Sequence, residues 1–143
     1  MDTQINTTPH RFIMPLSKEA IEEAVEMQDA QQVMWEAESH DELLGKIIKV
    51  AHLHKWICAH FRPARTSTGW RTPVEADAEG FPDLTLVRSG DRRILFIEVK
   101  TEKGKTTPAQ EQWLEALRET GKCEVYLWRP SQWETIVAIL ERS

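Results

Sequence analysis

The segment from residue 83 to residue 100 holds the side chains with chemistry in them. Asp83 follows Gly80-Phe81-Pro82 and precedes the apolar run Leu84-Thr85-Leu86-Val87. Glu98 and Lys100 close a second run, Ile94-Leu95-Phe96-Ile97-Glu98-Val99-Lys100. Successive side chains of a strand point to opposite faces, so Glu98 and Lys100 share a face while Ile97 and Val99 take the apolar one. A carboxylate and an ammonium inside such a run are costly to bury without partners. Asp83, across a hairpin, supplies a second carboxylate. Two carboxylates and a lysine at one strand end make a hard-oxygen site suited to Mg²⁺. The chemistry that follows is hydrolysis of a phosphodiester. The metal lowers the pKa of water and steadies the leaving oxygen, and the lysine orients the water or offsets charge on phosphorus. A lone Glu-X-Lys is commonly a solvent-exposed ion pair. Pro82-Asp83 ahead, the hairpin spacing and a helix start behind favour the site instead.

The elements that position these residues can be read in order. Residues 1–16, with Pro9 and Pro15, suggest a loose arm. Ser17 can cap a helix running to about Glu38, with Ile21, Ala24, Val25, Met34 and Trp35 on one face. Ser39-His40-Asp41-Glu42 fits a capping box, and Leu43, Leu44, Ile47, Ile48, Ala51 and Leu53 then supply the apolar stripe of a second helix. Trp56–Phe61 reads as a short buried strand, and Arg62–Gly80 as a long polar loop. Ser89-Gly90-Asp91 is the turn between the two informative strands. Thr107-Pro108-Ala109-Gln110 opens a helix that carries Trp113, Leu114 and Leu117 and stops at Gly121. Glu124–Trp128 is a further strand, and Pro130-Ser131 begins a last helix through Trp133, Ile136, Val137 and Leu140. Trp113, Trp128 and Trp133 fall at core spacings. The order is α-α-β-β-β-α-β-α, which specifies an α/β fold with a mixed central sheet and helices on its faces. The domain expected to carry the site is 39–143, with 1–38 an arm and an appended acidic helix.

A chain of 143 residues suits one core, and 41 % hydrophobic content is ordinary for a globular protein. No apolar run approaches the roughly 20 residues of a membrane span, and no basic-then-apolar signal opens the chain. Cys58 and Cys123 stand apart, as expected of free thiols in a reducing cytoplasm. The net charge of −5 is unevenly spread. Residues 1–45 carry ten acidic and two basic side chains, and residues 46–143 carry thirteen acidic and sixteen basic. Local charge is what a phosphate backbone meets, so the acidic total does not exclude DNA. His60, Arg62, Arg65 and Arg71 lie before Asp83 with Trp70 among them, and Lys103 and Lys105 lie after Lys100. Guanidinium forks suit phosphate oxygens, and an aromatic can stack on an unpaired base.

Gly80-Phe81-Pro82-Asp83-Leu84, Phe96–Thr101, Gly104-Lys105 and Thr107–Trp113 together resemble the VRR-NUC (virus-type replication–repair nuclease) branch of the PD-(D/E)XK superfamily. His60–Arg65 and Tyr126–Pro130 resemble segments of its small phage and bacterial members. The resemblance covers about residues 39–140. It implies a restriction-endonuclease-like core and a Mg²⁺-dependent deoxyribonuclease in which Mn²⁺ can substitute. By position, it makes Asp83 and Glu98 metal-binding carboxylates, the Val99 carbonyl a third ligand, Lys100 the catalytic lysine, and Gln110 a glutamine facing the site. Family members also bring an acidic residue from the first core helix. Glu42 is the candidate here, with Asp41 second, and Glu42 also reads as a capping-box partner only. The resemblance further implies a homodimer acting on branched, four-way-junction DNA in the cytoplasm, the host's if phage-encoded. Two other readings stay open: a catalytically silent DNA-binding module on the same fold, and a protein-interaction module using the acidic helix.

Overall fold

A computed structural model of the chain describes residues 14–61, 64–67, 69–71 and 75–143, with the side chains of 64–66, 70 and 71 excepted. By compactness the chain divides into residues 1–31 and residues 32–143. Helix α1 (Lys18–Ala37) runs through that division. Ser17 caps it, its Oγ accepting the Ala20 N–H at 3.2 Å. None of its residues is buried: Ile21, Val25 and Met34 are all exposed. None of the described helices is long and apolar enough to cross a membrane.

Helix α2 (His40–Leu53) starts at Ser39, which closes the expected capping box with Glu42. Strand β1 (Ile57–His60) follows, and a short hairpin of β2 (Ala64–Thr66) and β3 (Gly69–Arg71) lies within the segment read from sequence as loop. Strands β4 (Leu84–Arg88) and β5 (Arg93–Val99) form the central hairpin. Its turn at Ser89–Asp91 is a single tight helical turn, closed by Arg92 in the left-handed region at φ 59°. Helix α3 (Pro108–Glu119), strand β6 (Glu124–Trp128) and helix α4 (Trp133–Glu141) complete the chain.

The sheet order is β1-β4-β5-β6, antiparallel except for β5 and β6. A parallel pair cannot be joined by a tight turn, and α3 is the crossover that joins this one. Leu84, Leu86, Leu95, Ile97 and Val99 line one sheet face. They pack with Leu43, Leu44, Ile47 and Ala51 of α2 and with Ile136, Ile139 and Leu140 of α4. The other face carries Phe96, which meets Phe81 edge-on at 5.9 Å, and Phe81 meets Trp113 of α3 at 5.0 Å.

Strand β1 is an edge strand, not the buried one its apolar run suggested. Ile57 and Phe61 are 72 % and 67 % exposed. Trp128 is buried as expected, whereas Trp113 and Trp133 are half-buried. At the end of the hairpin away from Asp83, Arg88 and Arg93 donate to main-chain carbonyls at the end of α4, among them Leu140, Ile139 and Arg142. Both guanidinium groups lie over the Trp56 ring. Both cysteines are free.

Candidate active site

Asp83 lies one residue before β4. The antiparallel register pairs Leu84 with Ile97, and one further step sets Asp83 opposite Glu98. Directly opposed residues hold their Cβ atoms about 4.5–5.5 Å apart. The Glu98 side chain is almost wholly buried, at 1 % exposure. Burial pushes its carboxyl above the usual carboxylate range, and the charge of Asp83 adds to this. Lys100 opposes the shift, with its Nζ 3.0 Å from Glu98 Oε1.

Asp83 is held on several sides. Its Oδ2 accepts the Val99 N–H at 2.8 Å and lies 3.3 Å from His40 Nε2. Its own carbonyl accepts from His60 Nδ1 at 2.9 Å, which places the proton of that ring on Nδ1. Burial alone would raise the Asp83 pKa. The bonds from His40 and Val99 and the charges of His40 and Lys100 outweigh it, leaving the carboxyl below its ordinary value. His40 shifts the opposite way. Its bond to Asp83 lifts the imidazole to about 8 against the effect of burial, with help from Asp41. His40 Nδ1 lies 3.2 Å from Asp41 Oδ1.

Lys100 is steered by the start of α3. Its Nζ donates to Gln110 Oε1 at 2.9 Å. The same oxygen accepts the Thr107 N–H at 2.9 Å, while Thr107 Oγ1 accepts the Gln110 N–H at 3.2 Å. One capping box therefore both opens the helix and fixes the acceptor for the lysine. The loop before Asp83 is pressed against this helix end. Gly80 has φ 79°, and a Cβ there would stand 2.5 Å from the Ala109 carbonyl carbon and 2.6 Å from Gln110 N. Trp113 Nε1 donates to the Asp77 carbonyl at 2.8 Å, tying the same loop down.

The sequence-derived candidates thus divide. Asp83, Glu98, Val99, Lys100, Gln110 and His60 come together at one end of the central hairpin. Glu42 is engaged elsewhere. Its Oε2 accepts the Ser39 N–H at 2.8 Å, a bond that draws its pKa down. The side chain of α2 that reaches Asp83 is His40, which sequence reasoning passed over. The capping box held the signal, because a residue whose carboxylate folds back on the cap is not free to reach across. Lys103 and Lys105 are exposed on the loop after β5, and Lys103 Nζ lies 2.8 Å from Glu36 Oε2. Arg129 organises that loop: its Nη1 donates to the carbonyls of Thr101 and Gly104 at 2.7 Å and of Glu102 at 3.1 Å. Arg62 lies outside the described residues, as do the side chains of Arg65, Trp70 and Arg71. Among the described residues no group of three or more His, Cys, Asp or Glu side chains is arranged to hold a metal.

A family model described as the VRR-NUC domain matches residues 19–130. The chain belongs to the VRR-NUC family. The match begins inside α1, ahead of residue 39 where the sequence pattern started the domain. VRR-NUC membership carries a nuclease-type role in DNA processing, with DNA as the substrate, and nucleases of this kind generally use a divalent metal. No curated protein matches the chain.

Proposed function

We propose that this VRR-NUC protein is a divalent-cation-dependent DNA endonuclease that takes Mg²⁺, with Mn²⁺ able to replace it. In this reading Asp83 and Glu98 hold the cation, Lys100 is the catalytic lysine, and Gln110 is its positioning residue. One observation carries it: Glu98, buried to 1 % exposure, sits opposite a second carboxylate and 3.0 Å from Lys100. A buried carboxylate whose proton affinity is raised by burial and by a second carboxylate beside it is what a hard cation relieves. The Val99 carbonyl fits as a third donor. Its N–H points at Asp83, and in an extended strand the N–H and C=O of one residue face the same neighbour.

A bound divalent cation supplies Lewis acidity toward a phosphate oxygen and toward water. The rest of the work belongs to the side chains. Lys100, set by Gln110, places a positive charge where charge builds on phosphorus. Glu98 holds Lys100 in turn. His60 steadies the main chain at Asp83. Glu42, through the cap, sets the end of α2. Lys103, Lys105, Arg62, Arg65 and Arg71 are proposed as phosphate contacts that align the strand. Residues 39–143 are proposed as the part sufficient for this chemistry. A homodimer acting on four-way junctions is the proposed assembly, because two symmetric cuts need two sites in twofold relation. The exposed apolar side chains of α1 are material for that contact. The proposed setting is the cytoplasm.

Relaxation of supercoiled plasmid with and without Mg²⁺, beside Lys100→Ala, tests the reading. Cleavage should need the cation and fall by about 10²–10³ in the variant. A variant that cleaves at the parent rate would remove Lys100 from the mechanism. DNA binding with no cleavage by the parent in any divalent cation would favour the silent module.

A further inference from the structure

Resting on the metal-dependent reading above, the geometry points to His40 as a nitrogen ligand of the same cation, oriented by Asp41. Three observations converge on it. His40 is the side chain in hydrogen-bond contact with the Asp83 carboxylate, at 3.3 Å through Nε2. The other ring nitrogen, Nδ1, lies 3.2 Å from Asp41 Oδ1. Glu42, the other candidate from this turn, is spent on the cap. A carboxylate behind one imidazole nitrogen, leaving the other nitrogen for the metal, is the outer-shell pattern that orients metal-binding histidines, and here that other nitrogen faces Asp83.

The distance also fits. Ligands about 2.1 Å from one ion and at right angles are separated by roughly 3.0 Å. The 3.3 Å between His40 Nε2 and Asp83 Oδ2 is close to that separation, so the two side chains would need to move little to hold one ion together. In this structure Nε2 shares a proton with Asp83 Oδ2; a cation held by both atoms would take that proton's place, while Nδ1 keeps its own proton for Asp41 Oδ1. Glu98 turns Oε1 to Lys100. His40 is thus the second side-chain donor on the Asp83 side.

An imidazole donor has a selectivity consequence. Carboxylate and carbonyl oxygens suit Mg²⁺, whereas imidazole adds affinity for Co²⁺, Ni²⁺ and Zn²⁺. Removing His40 should therefore cost Co²⁺ binding far more than Mg²⁺ binding. Asp41→Ala should cost less than His40→Ala, because the Asp41 side chain is 98 % exposed and its contact is screened.

The experiment is direct metal binding by the full chain without DNA. Calorimetric titration with CoCl₂ and with MgCl₂ would compare the parent with His40→Ala, His40→Glu, Asp83→Asn and Glu98→Gln. Pulsed electron paramagnetic resonance of the Mn²⁺-loaded parent would look for nitrogen coupling. The expected result is nitrogen coupling that vanishes in His40→Ala, with the Co²⁺-to-Mg²⁺ affinity ratio falling by at least about tenfold. His40→Glu, with an oxygen donor, should recover Mg²⁺ affinity but not the ratio. Binding that depends on Asp83 and Glu98, without nitrogen coupling and with an unchanged ratio in His40→Ala, overturns the His40 inference and leaves the nuclease reading standing. Binding that neither Asp83→Asn nor Glu98→Gln weakens overturns both.

Discussion

Replacing Gly80 with Ala should damage this protein in two measurable ways. The residue has φ 79°, and the added Cβ would meet the Ala109 carbonyl carbon at 2.5 Å, Gln110 N at 2.6 Å and Ala109 Cβ at 2.8 Å. Ordinary contact begins at 3.4 Å, so loop and helix must part by about 0.9 Å, and two of the three atoms are backbone that cannot rotate away. A left-handed L-residue costs about 1–2 kcal/mol, and overpacking typically about 1–3 kcal/mol more. The expected loss is therefore about 2–5 kcal/mol, a large part of a typical stability of about 5–15 kcal/mol. Two other glycines separate the causes. Gly121 has φ 61° and open space, so Gly121→Ala should cost only about 1–2 kcal/mol. Gly90 has open space and no positive φ, so Gly90→Ala should stay within about 0.5 kcal/mol of the parent. Urea unfolding of the three variants at equal m-value gives the comparison. Because Gln110 holds Lys100 and the loop leads into Asp83, the same displacement should lower cleavage by about 10²-fold under conditions where Gly80→Ala is folded. If Gly80→Ala is no less stable than Gly121→Ala and cleaves normally, the contact between the loop and α3 does not set the spacing of the site.

Gln110→Ala removes the acceptor that Lys100 shares with Thr107, so kcat should fall by roughly 10–100-fold while DNA affinity holds, as single-turnover kinetics beside anisotropy binding would show. Glu124 has its pKa pulled down to about 2, chiefly by the bond to Arg93. A depressed carboxyl stabilises the fold above its unfolded value near 4.5 and loses that contribution as pH falls toward 2, so melting temperatures between those limits should drop less steeply with acid in Glu124→Gln. Arg129→Ala frees three carbonyls of the loop carrying Lys103 and Lys105, and limited trypsin digestion should then cut after those lysines faster than in the parent.

The central hairpin was readable because a period of two is strict. Once Ile97 and Val99 face the core, Glu98 and Lys100 must share the other side, and Asp83 falls opposite Glu98 by register. The start of α3 was equally plain from Thr107-Pro108 and Gln110. His40 was not, since four consecutive polar residues offer several side chains to the site. Which of them meets Asp83 depends on where the end of α2 lands against β4. The run Trp56–Phe61 misled because an apolar stretch looks alike in a central strand and in an edge strand. It pairs with β4 on one side alone, and its alternating exposure comes from one face being more covered than the other. The hairpin of β2 and β3 was hidden in a polar stretch without apolar alternation. Arg129 gave no signal because its partners are main-chain carbonyls, which no side-chain pattern announces.

The bond from the Val99 amide to Asp83 Oδ2 makes one backbone hydrogen a resident gauge of that carboxylate. The Val99 proton is sheltered by a side chain rather than by a ladder partner. The next amide, Lys100, is tied instead to the Trp128 carbonyl at 2.9 Å. In deuterium exchange the two neighbours should therefore respond to different events. Turning the Asp83 carboxylate toward a cation or a phosphate would speed exchange at Val99 and leave Lys100 protected, whereas separation of β5 from β6 would expose Lys100 first. A single pair of adjacent amides thus distinguishes ligand capture at the reaction centre from loosening of the sheet that carries it.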